Sequence, residues 1–243
     1  MDFSPKDIRG KQLEPIEKYL SSIQREELAK YQRMFAGVLI SGKEIEESLG
    51  IYAQVLAQNY RQQGIHTIVG VPVVQGGLTV FEKLVYFLLP AGINTIKDSF
   101  GVTRYGERIE GGKPRITQDV HLLGPGDHGL TVEDVIDKAI TIAYGMKHLK
   151  TKDPASLRLF SLLTKPDVCE VELDDYDTLF LVDDHWLVGY GMDLSVPING
   201  KMRPLYRDLN FVAVTNPDWL LETGQIGEGR AEELRAVIEK AKK

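Results

Sequence analysis

From Thr67 to Asn216 the chain alternates between short runs of β-branched and aromatic residues and longer runs at helical spacing. That alternation restricts the fold more than any other feature of the 243 residues, because strands separated by helices pair in parallel. TIVGVPVV (67–74) is apolar at successive positions, the pattern of a strand covered on both faces. A Gly76-Gly77 turn follows, then LTVFEKLVYFLL (78–89) at helical spacing and the β-prone INTIKDSFGV (93–102). RITQDVHL, GLTVEDV, SLRLFSLLT, TLFLVDD, WLVGYG and FVAVTN are further strand candidates. The expected architecture is α/β, a mainly parallel twisted sheet flanked by helices, with functional groups beyond the carboxyl ends of the strands.

Ahead of this region, Ser41 and Glu44 have the S-x-x-E spacing of a capping box. Ile45, Leu49, Tyr52 and Leu56 then recur at helical spacing, and Gly64 stands where a helix stop is expected. Leu13 to Met34 carries Ile16, Leu20, Ile23 and Leu28 among charges, which suits an amphipathic helical arm with a break near the serines and a role in packing or oligomer contact. Helices are also expected from about Lys138 to Leu149 and over the final AEELRAVIEKAKK. The division expected is an N-terminal helical arm (1–35), a central domain (36–216) and a C-terminal helical extension (217–243).

A chain of this length buries one substantial core, and 43% hydrophobic with 26% charged residues excludes wholesale disorder. A net charge of −6 argues against gripping nucleic-acid phosphate, although a local basic pocket for a small anion remains open. Cys169 is the only cysteine, so an intramolecular disulfide is impossible and a reducing compartment is expected. With acidic residues following it, Cys169 reads as a structural thiol. No apolar stretch approaches the ~18 residues of a membrane span, and the start lacks the apolar core of a secretory signal. A cytoplasmic protein with neither nucleic-acid nor membrane partners is expected.

TVEDVIDKAIT (131–141) places Glu133, Asp134 and Asp137 within five positions, between a β-prone run and a helix. If GLTV is the strand and the helix begins near Lys138, Asp137 is a natural N-cap. Glu133 and Asp134 fit that account less well, because adjacent carboxylates repel unless a cation, hydroxyl groups or solvent receive them. A helix N-terminus at the same place offers free N–H groups to an anion. Acids for a diol or Mg²⁺ and amides for a phosphate together suit a phosphorylated sugar.

VEDVID followed by Thr141 resembles the phosphoribosyl-diphosphate (PRPP) signature of the type I phosphoribosyltransferases. Six further segments, in order, resemble the hypoxanthine-guanine branch: VLISGKEI, VPVVQGG, TRYGERIEGG, SLLTKP, WLVGYGMD and YRDLNFV. The likeness spans about residues 36–215 and implies the phosphoribosyltransferase fold, a sheet domain with a small hood, preceded here by the helical arm.

By that resemblance Glu133 and Asp134 hold the ribose hydroxyls, directly or through Mg²⁺, and Asp137 faces N7 of the purine as general base. Lys138, Ala139, Ile140 and Thr141 cradle the 5′-phosphate, with Lys138-Ala139 standing where the family has Thr-Gly. Lys138 either reaches the phosphate or points to solvent. Lys165 matches the donor to the purine 6-oxo group, Trp186 the ring stacked on the base, and Leu187 the main-chain contact to the base edge. Without the family, Lys165 reads as a surface lysine and Trp186 as a core residue. Asp193 matches a second metal carboxylate, with a turn cap as the alternative. Arg207 matches the pyrophosphate-binding arginine, with an ion pair to Asp208 as the alternative.

Val74, Gln75 and Gly76 match the pyrophosphate loop, in which the family commonly has lysine where Gln75 stands. The loop from Thr103 to Pro114 resembles a lid, with Arg104-Tyr105 in place of its Ser-Tyr pair. LSVPINGKMRPLY, between Asp193 and Arg207, is longer than the branch leads one to expect. The resemblance implies a Mg²⁺-dependent glycosyltransferase of purine salvage that joins a 6-oxopurine to PRPP, releasing a nucleoside monophosphate and pyrophosphate, as a homodimer or homotetramer. Two other readings stay open: a phosphoribosyltransferase-fold regulator that binds PRPP or nucleotides without catalysis, and a Mg²⁺ phosphatase or phospho-acceptor domain using Asp183-Asp184 or Asp137.

Overall fold

The computed structural model describes residues 3–20, 25–104 and 112–242. Its strands are β1 (Lys6–Asp7), β2 (Phe35–Ile40), β3 (Thr67–Pro72), β4 (Asn94–Lys97), β5 (Gly101–Thr103), β6 (Arg115–Gln118), β7 (His128–Ile136), β8 (Ser156–Thr164), β9 (Tyr176–Leu181), β10 (Leu187–Val188), β11 (Leu194–Ile198), β12 (Lys201–Leu205) and β13 (Val212–Thr215). Its helices are α1 (Arg25–Met34), α2 (Gly42–Gln62), α3 (Gly76–Leu88), α4 (Ile140–Lys150), α5 (Pro217–Glu222) and α6 (Glu228–Lys240). They form two compact units, residues 1–6 with 46–181 and residues 7–45 with 182–243.

The larger unit is built on a sheet of order β1-β9-β8-β7-β3-β4, in which β9, β8, β7, β3 and β4 pair in parallel. The alternation of strand and helix patterns thus gives the expected α/β architecture. Strand β7 lies between β3 and β8, but its pairing with β3 ends at Pro72↔Val132 whereas its pairing with β8 continues to Ile136↔Thr164. The last four residues of β7, Glu133 to Ile136, therefore project past β3. On one side of the sheet Val69, Val71, Phe100, Ile136, Ile142 and Leu149 pack into a common core. Tyr52 of α2 stacks on Phe160 of β8 with ring centroids 4.3 Å apart.

Helix α2 begins and ends as its sequence predicts. Ser41 N donates to Glu44 Oε2 at 2.9 Å while Glu44 N donates to Ser41 Oγ at 3.2 Å, a reciprocal capping box. At the other end Gly64 takes φ 76° and Ile65 N donates back to Tyr60 O at 2.9 Å, the left-handed stop that glycine permits.

The smaller unit draws on both ends of the chain. Strands β10, β13 and β2 form an antiparallel sheet, covered by a core that includes Phe35, Val38, Val188, Phe211, Trp219 and Leu234. β11 and β12 form a hairpin paired from Leu194↔Leu205 to Ile198↔Lys201. Its Asn199-Gly200 turn has φ 51° and 73°, the two positive values of a type I′ turn.

The arm over 13–34 carries a 3-10 turn at Ile16–Lys18 and then α1, and the chain enters β2 at Phe35, where five of the six residues of FAGVLI are buried; Ile23 lies outside the described residues. Three local expectations are corrected. Residues 93–102 form two strands, β4 and β5, rather than one. WLVGYG contributes only two strand residues, because Gly189 and Tyr190 take positive φ and turn the chain away. The hairpin over 194–205 was not expected as strand at all.

Candidate active site

Glu133 and Asp134 lie within β7, not in a turn after it, since Val132, Val135 and Ile136 continue the pairing with β8. Asp134 is buried, and its Oδ1 accepts the Val135 N–H at 2.7 Å. Asp134 N donates to Glu133 Oε1 at 3.2 Å. Burial first, and then the neighbouring Asp134 carboxylate, push the Glu133 carboxyl well above the usual range. Two acids so placed favour either a shared proton or a positive partner.

The loop before α3 is set tightly against this strand end. Val73 N donates to Val132 O at 2.9 Å and Val74 N to Phe100 O at 2.8 Å. A Cβ at Gly76 would fall 1.9 Å from Asp134 Oδ2, and one at Gly77 would fall 2.2 Å from the Val132 carbonyl oxygen. The two glycines are therefore required by close approach. The Val74–Gln75 peptide is cis, and Gln75, exposed, stands at the N-cap of α3 with no side-chain capping bond.

Asp137 is not the N-cap of α4. The helix starts at Ile140, and Ala139 occupies the cap position at φ 63°, its carbonyl accepting the first helical bond from Ala143 N at 2.9 Å. No side chain caps this end, so the first N–H groups of the helix are offered outward from the helix start. Released from capping, the Asp137 side chain is 53% exposed and has the ammonium of Lys165 3.6 Å from its Oδ2. Lys165 is itself buried, with its main-chain N–H on Ile136 O at 2.9 Å. The lysine and aspartate to which the resemblance gives purine contacts thus lie within ion-pair distance of each other. Lys138 points its ammonium at Glu170 Oε1, 2.5 Å away, and Thr141 lies in the first turn of α4.

In the smaller unit, Trp186 is half-buried against the core and its carbonyl accepts the Thr215 N–H at 2.8 Å. Leu187 is buried and paired with Val214. Arg207 forks between the Asp193 carboxylate and the Gly191 carbonyl, the latter at 2.5 Å, and Gly191 N returns a bond to Arg207 O at 3.0 Å. Its partner is therefore Asp193 and not the adjacent Asp208. The β11–β12 hairpin fills the sequence between Asp193 and Arg207, and its antiparallel pairing brings their two ends side by side.

Arg104 Nε donates to Gly112 O at 3.3 Å; Tyr105 lies outside the described residues. Sequence reading does not single out Glu170, for one of four acids in CEVELDD carries no signal of its own. Among the described residues no group of three or more His, Cys, Asp or Glu side chains is arranged to hold a metal ion.

With this geometry in hand, the comparisons with known proteins agree with one another. The phosphoribosyl transferase domain family matches residues 41–194. The hypoxanthine-guanine phosphoribosyltransferase of Leishmania donovani is 29% identical over 191 residues, covering 76% of this chain and 86% of that protein. Its counterpart from Mycobacterium avium is 28% identical over 185 residues, covering 74% and 85%. Among solved structures, the hypoxanthine phosphoribosyltransferase of Trypanosoma cruzi in complex with the product IMP superposes with a TM-score of 0.67 at 24% identity, covering 76% of this chain and 96% of that one. The enzyme from Staphylococcus aureus gives 0.67 at 21%, covering 79% and 96%; likeness at these identities shows a shared fold. The curated relatives are glycosyltransferases. Matched over more than half its length and by relatives of one branch, the chain belongs to the phosphoribosyl transferase domain family, on its hypoxanthine-guanine side.

Proposed function

We propose that this protein joins a 6-oxopurine to PRPP, forming the bond from N9 to C1′ while pyrophosphate leaves C1′, with Mg²⁺ required. The observation that carries this reading is the Asp137–Lys165 pair. The O6 and N7 atoms of a 6-oxopurine are neighbours on one edge of the base. An ammonium and a carboxylate 3.6 Å apart address that edge together: Lys165 donates to O6, and Asp137 takes or shares the proton at N7 as N9 attacks. Adenine, with an amino donor at position 6, faces Lys165 unfavourably.

In the same reading Lys138 to Thr141 receive the 5′-phosphate on the uncapped N-terminus of α4, and Glu133 and Asp134 receive the ribose hydroxyls. Val74 to Gly76 and Arg207 receive pyrophosphate, Arg207 through a guanidinium suited to two oxygens at once. Trp186 stacks on the base and Leu187 meets its edge, while Arg104 and Tyr105 belong to a lid that excludes water.

The acid pair fits a divalent cation, because its raised Glu133 carboxyl is relieved by a positive partner. A lone pair of carboxylates suits Mg²⁺, which is commonly held by one or two carboxylates plus substrate phosphates rather than by an all-protein cage. Glu133 and Asp134 would hold it, and the bound ion would neutralise charge on the departing pyrophosphate; Asp193 is assigned, by the resemblance alone, to a second metal. The lone Cys169 supports a cytoplasmic setting. Ile51, Tyr86 and Leu89, apolar and exposed, supply surface for a homodimer or homotetramer.

Assays of hypoxanthine, guanine, xanthine and adenine with Mg²⁺-PRPP test the proposal; a folded protein that turns over none of them contradicts it. A second reading, a regulator that binds PRPP or nucleotides without catalysis, draws support from Lys138 engaged on Glu170 and from the absent charge at Gln75. Ligand binding by calorimetry without turnover would favour it. The phosphatase reading has no support at Asp183-Asp184: Asp183 accepts the Gly10 N–H at 2.6 Å and Asp184 pairs with Arg230 at 2.6 Å, both structural engagements.

A further inference from the structure

The turn before α4 carries a lysine that is engaged in the free protein. Lys138 Nζ lies 2.5 Å from Glu170 Oε1, Glu170 N donates to the Lys138 carbonyl at 3.1 Å, and the Cys169 thiol donates to the Asp137 carbonyl at 3.1 Å. Main-chain bonding therefore fixes Glu170 beside the turn, independently of its charge. The ion pair itself is 56% and 49% exposed, and exposed pairs contribute little and weaken with salt. Lys138 is easily released, whereas Glu170 is held in place.

An anion arriving at the uncapped N–H groups of α4 meets opposing charges here. Lys138 attracts it and Glu170 repels it. Lys138, and more weakly Arg104, hold the Glu170 carboxyl below the usual range, so its negative charge is retained at neutral pH. Neither Lys138 nor Glu170 is buried, and neither is required by the core.

We propose that Glu170 is a specificity-determining residue of the phosphate loop: a fixed counter-anion that occupies Lys138 in the free protein, yields it to the phosphate of a bound nucleotide, and tempers the loop's affinity for anions. This rests on the assignment of the α4 N-terminus to a sugar phosphate. Its chemical consequence is that Lys138 and Glu170 work as a unit. The lysine alone would hold phosphate more tightly, and the glutamate alone would repel it.

Calorimetric titration with IMP, and with inosine as the same ligand lacking phosphate, tests this on the wild type, Glu170→Gln, Lys138→Thr and the double variant. Glu170→Gln should tighten IMP about two- to fivefold at low salt, the scale of an exposed ion pair, leave inosine unchanged, and lose the gain at high salt. Lys138→Thr should weaken IMP, and adding Glu170→Gln should restore part of the loss. Wild-type binding of IMP with no effect of Glu170→Gln, or an equal effect on inosine, overturns the inference alone. Failure of the wild type to bind IMP at all overturns the phosphoribosyl reading of the site and this inference with it.

Discussion

At the scale of single residues, Ala139 and Glu133 are two places in the candidate site where the chain bears strain. An L-residue other than glycine in the left-handed region costs roughly 1–2 kcal/mol, and Ala139 sits there at φ 63°. Ala139→Gly relieves that cost while loosening the unfolded chain by about 0.4–1 kcal/mol. The denaturation midpoint is expected to hold or rise; a loss of about 1 kcal/mol, the ordinary penalty for glycine in a helix, would show that the turn is not strained.

Glu133 has its carboxyl raised by burial and by Asp134. The folded state therefore binds the proton more tightly than the unfolded chain, and stability falls as pH climbs from the ordinary value of 4.5 through the raised one. Glu133→Gln should flatten that slope and stabilise the fold at neutral pH while impairing PRPP binding. Urea denaturation at several pH values measures it, and an unchanged slope would count against a strained acid.

These residues were legible in the sequence as chemistry but not as geometry. The acidic cluster announced itself through charge crowding, yet Asp137 resembled an N-cap because propensity has no means of foreseeing a left-handed alanine two positions later.

At the scale of elements, local signals served where they were complete. The capping box and Gly64 delimited α2, and apolar runs located β3, β7 and β8. The β11–β12 hairpin escaped because Pro197 and Pro204 argue against strands, even though Asn199-Gly200 is itself a hairpin signal; a two-stranded ribbon tolerates prolines that a sheet interior would not.

The join between α3 and β7 tests the element-level account. Gly77→Ala places a methyl against the Val132 carbonyl, a backbone atom that cannot swing away, and should cost about 1–3 kcal/mol of stability as overpacking does. Gly76→Ala meets the Asp134 carboxylate instead, so it should displace that side chain and reduce activity more than stability. Thermal melts and kcat/KM measured on both variants separate the two; an identical profile for the pair would contradict the assignment of Gly76 to the acid pair.

At the scale of the whole molecule, the parallel sheet was readable because alternation of strand and helix is a local pattern. The smaller unit was not, because it pairs β2 with β13 across some 170 residues of sequence, and no periodicity records such a partner. The family resemblance reached further than periodicity did, since motifs in order carry long-range information. Its residues gather in each unit as pairs: Asp137 with Lys165 in one, Asp193 with Arg207 in the other.

The central claim, that a carboxylate at the end of β7 is free for chemistry because it does not cap α4, is tested most directly by Asp137→Ala. Turnover of hypoxanthine or guanine with Mg²⁺-PRPP should fall about 10²–10⁴-fold, the usual contribution of a general base, while stability falls by about 1 kcal/mol, the scale of losing the ion pair to Lys165. Equal loss of folding and activity, or full activity in the variant, would contradict the account.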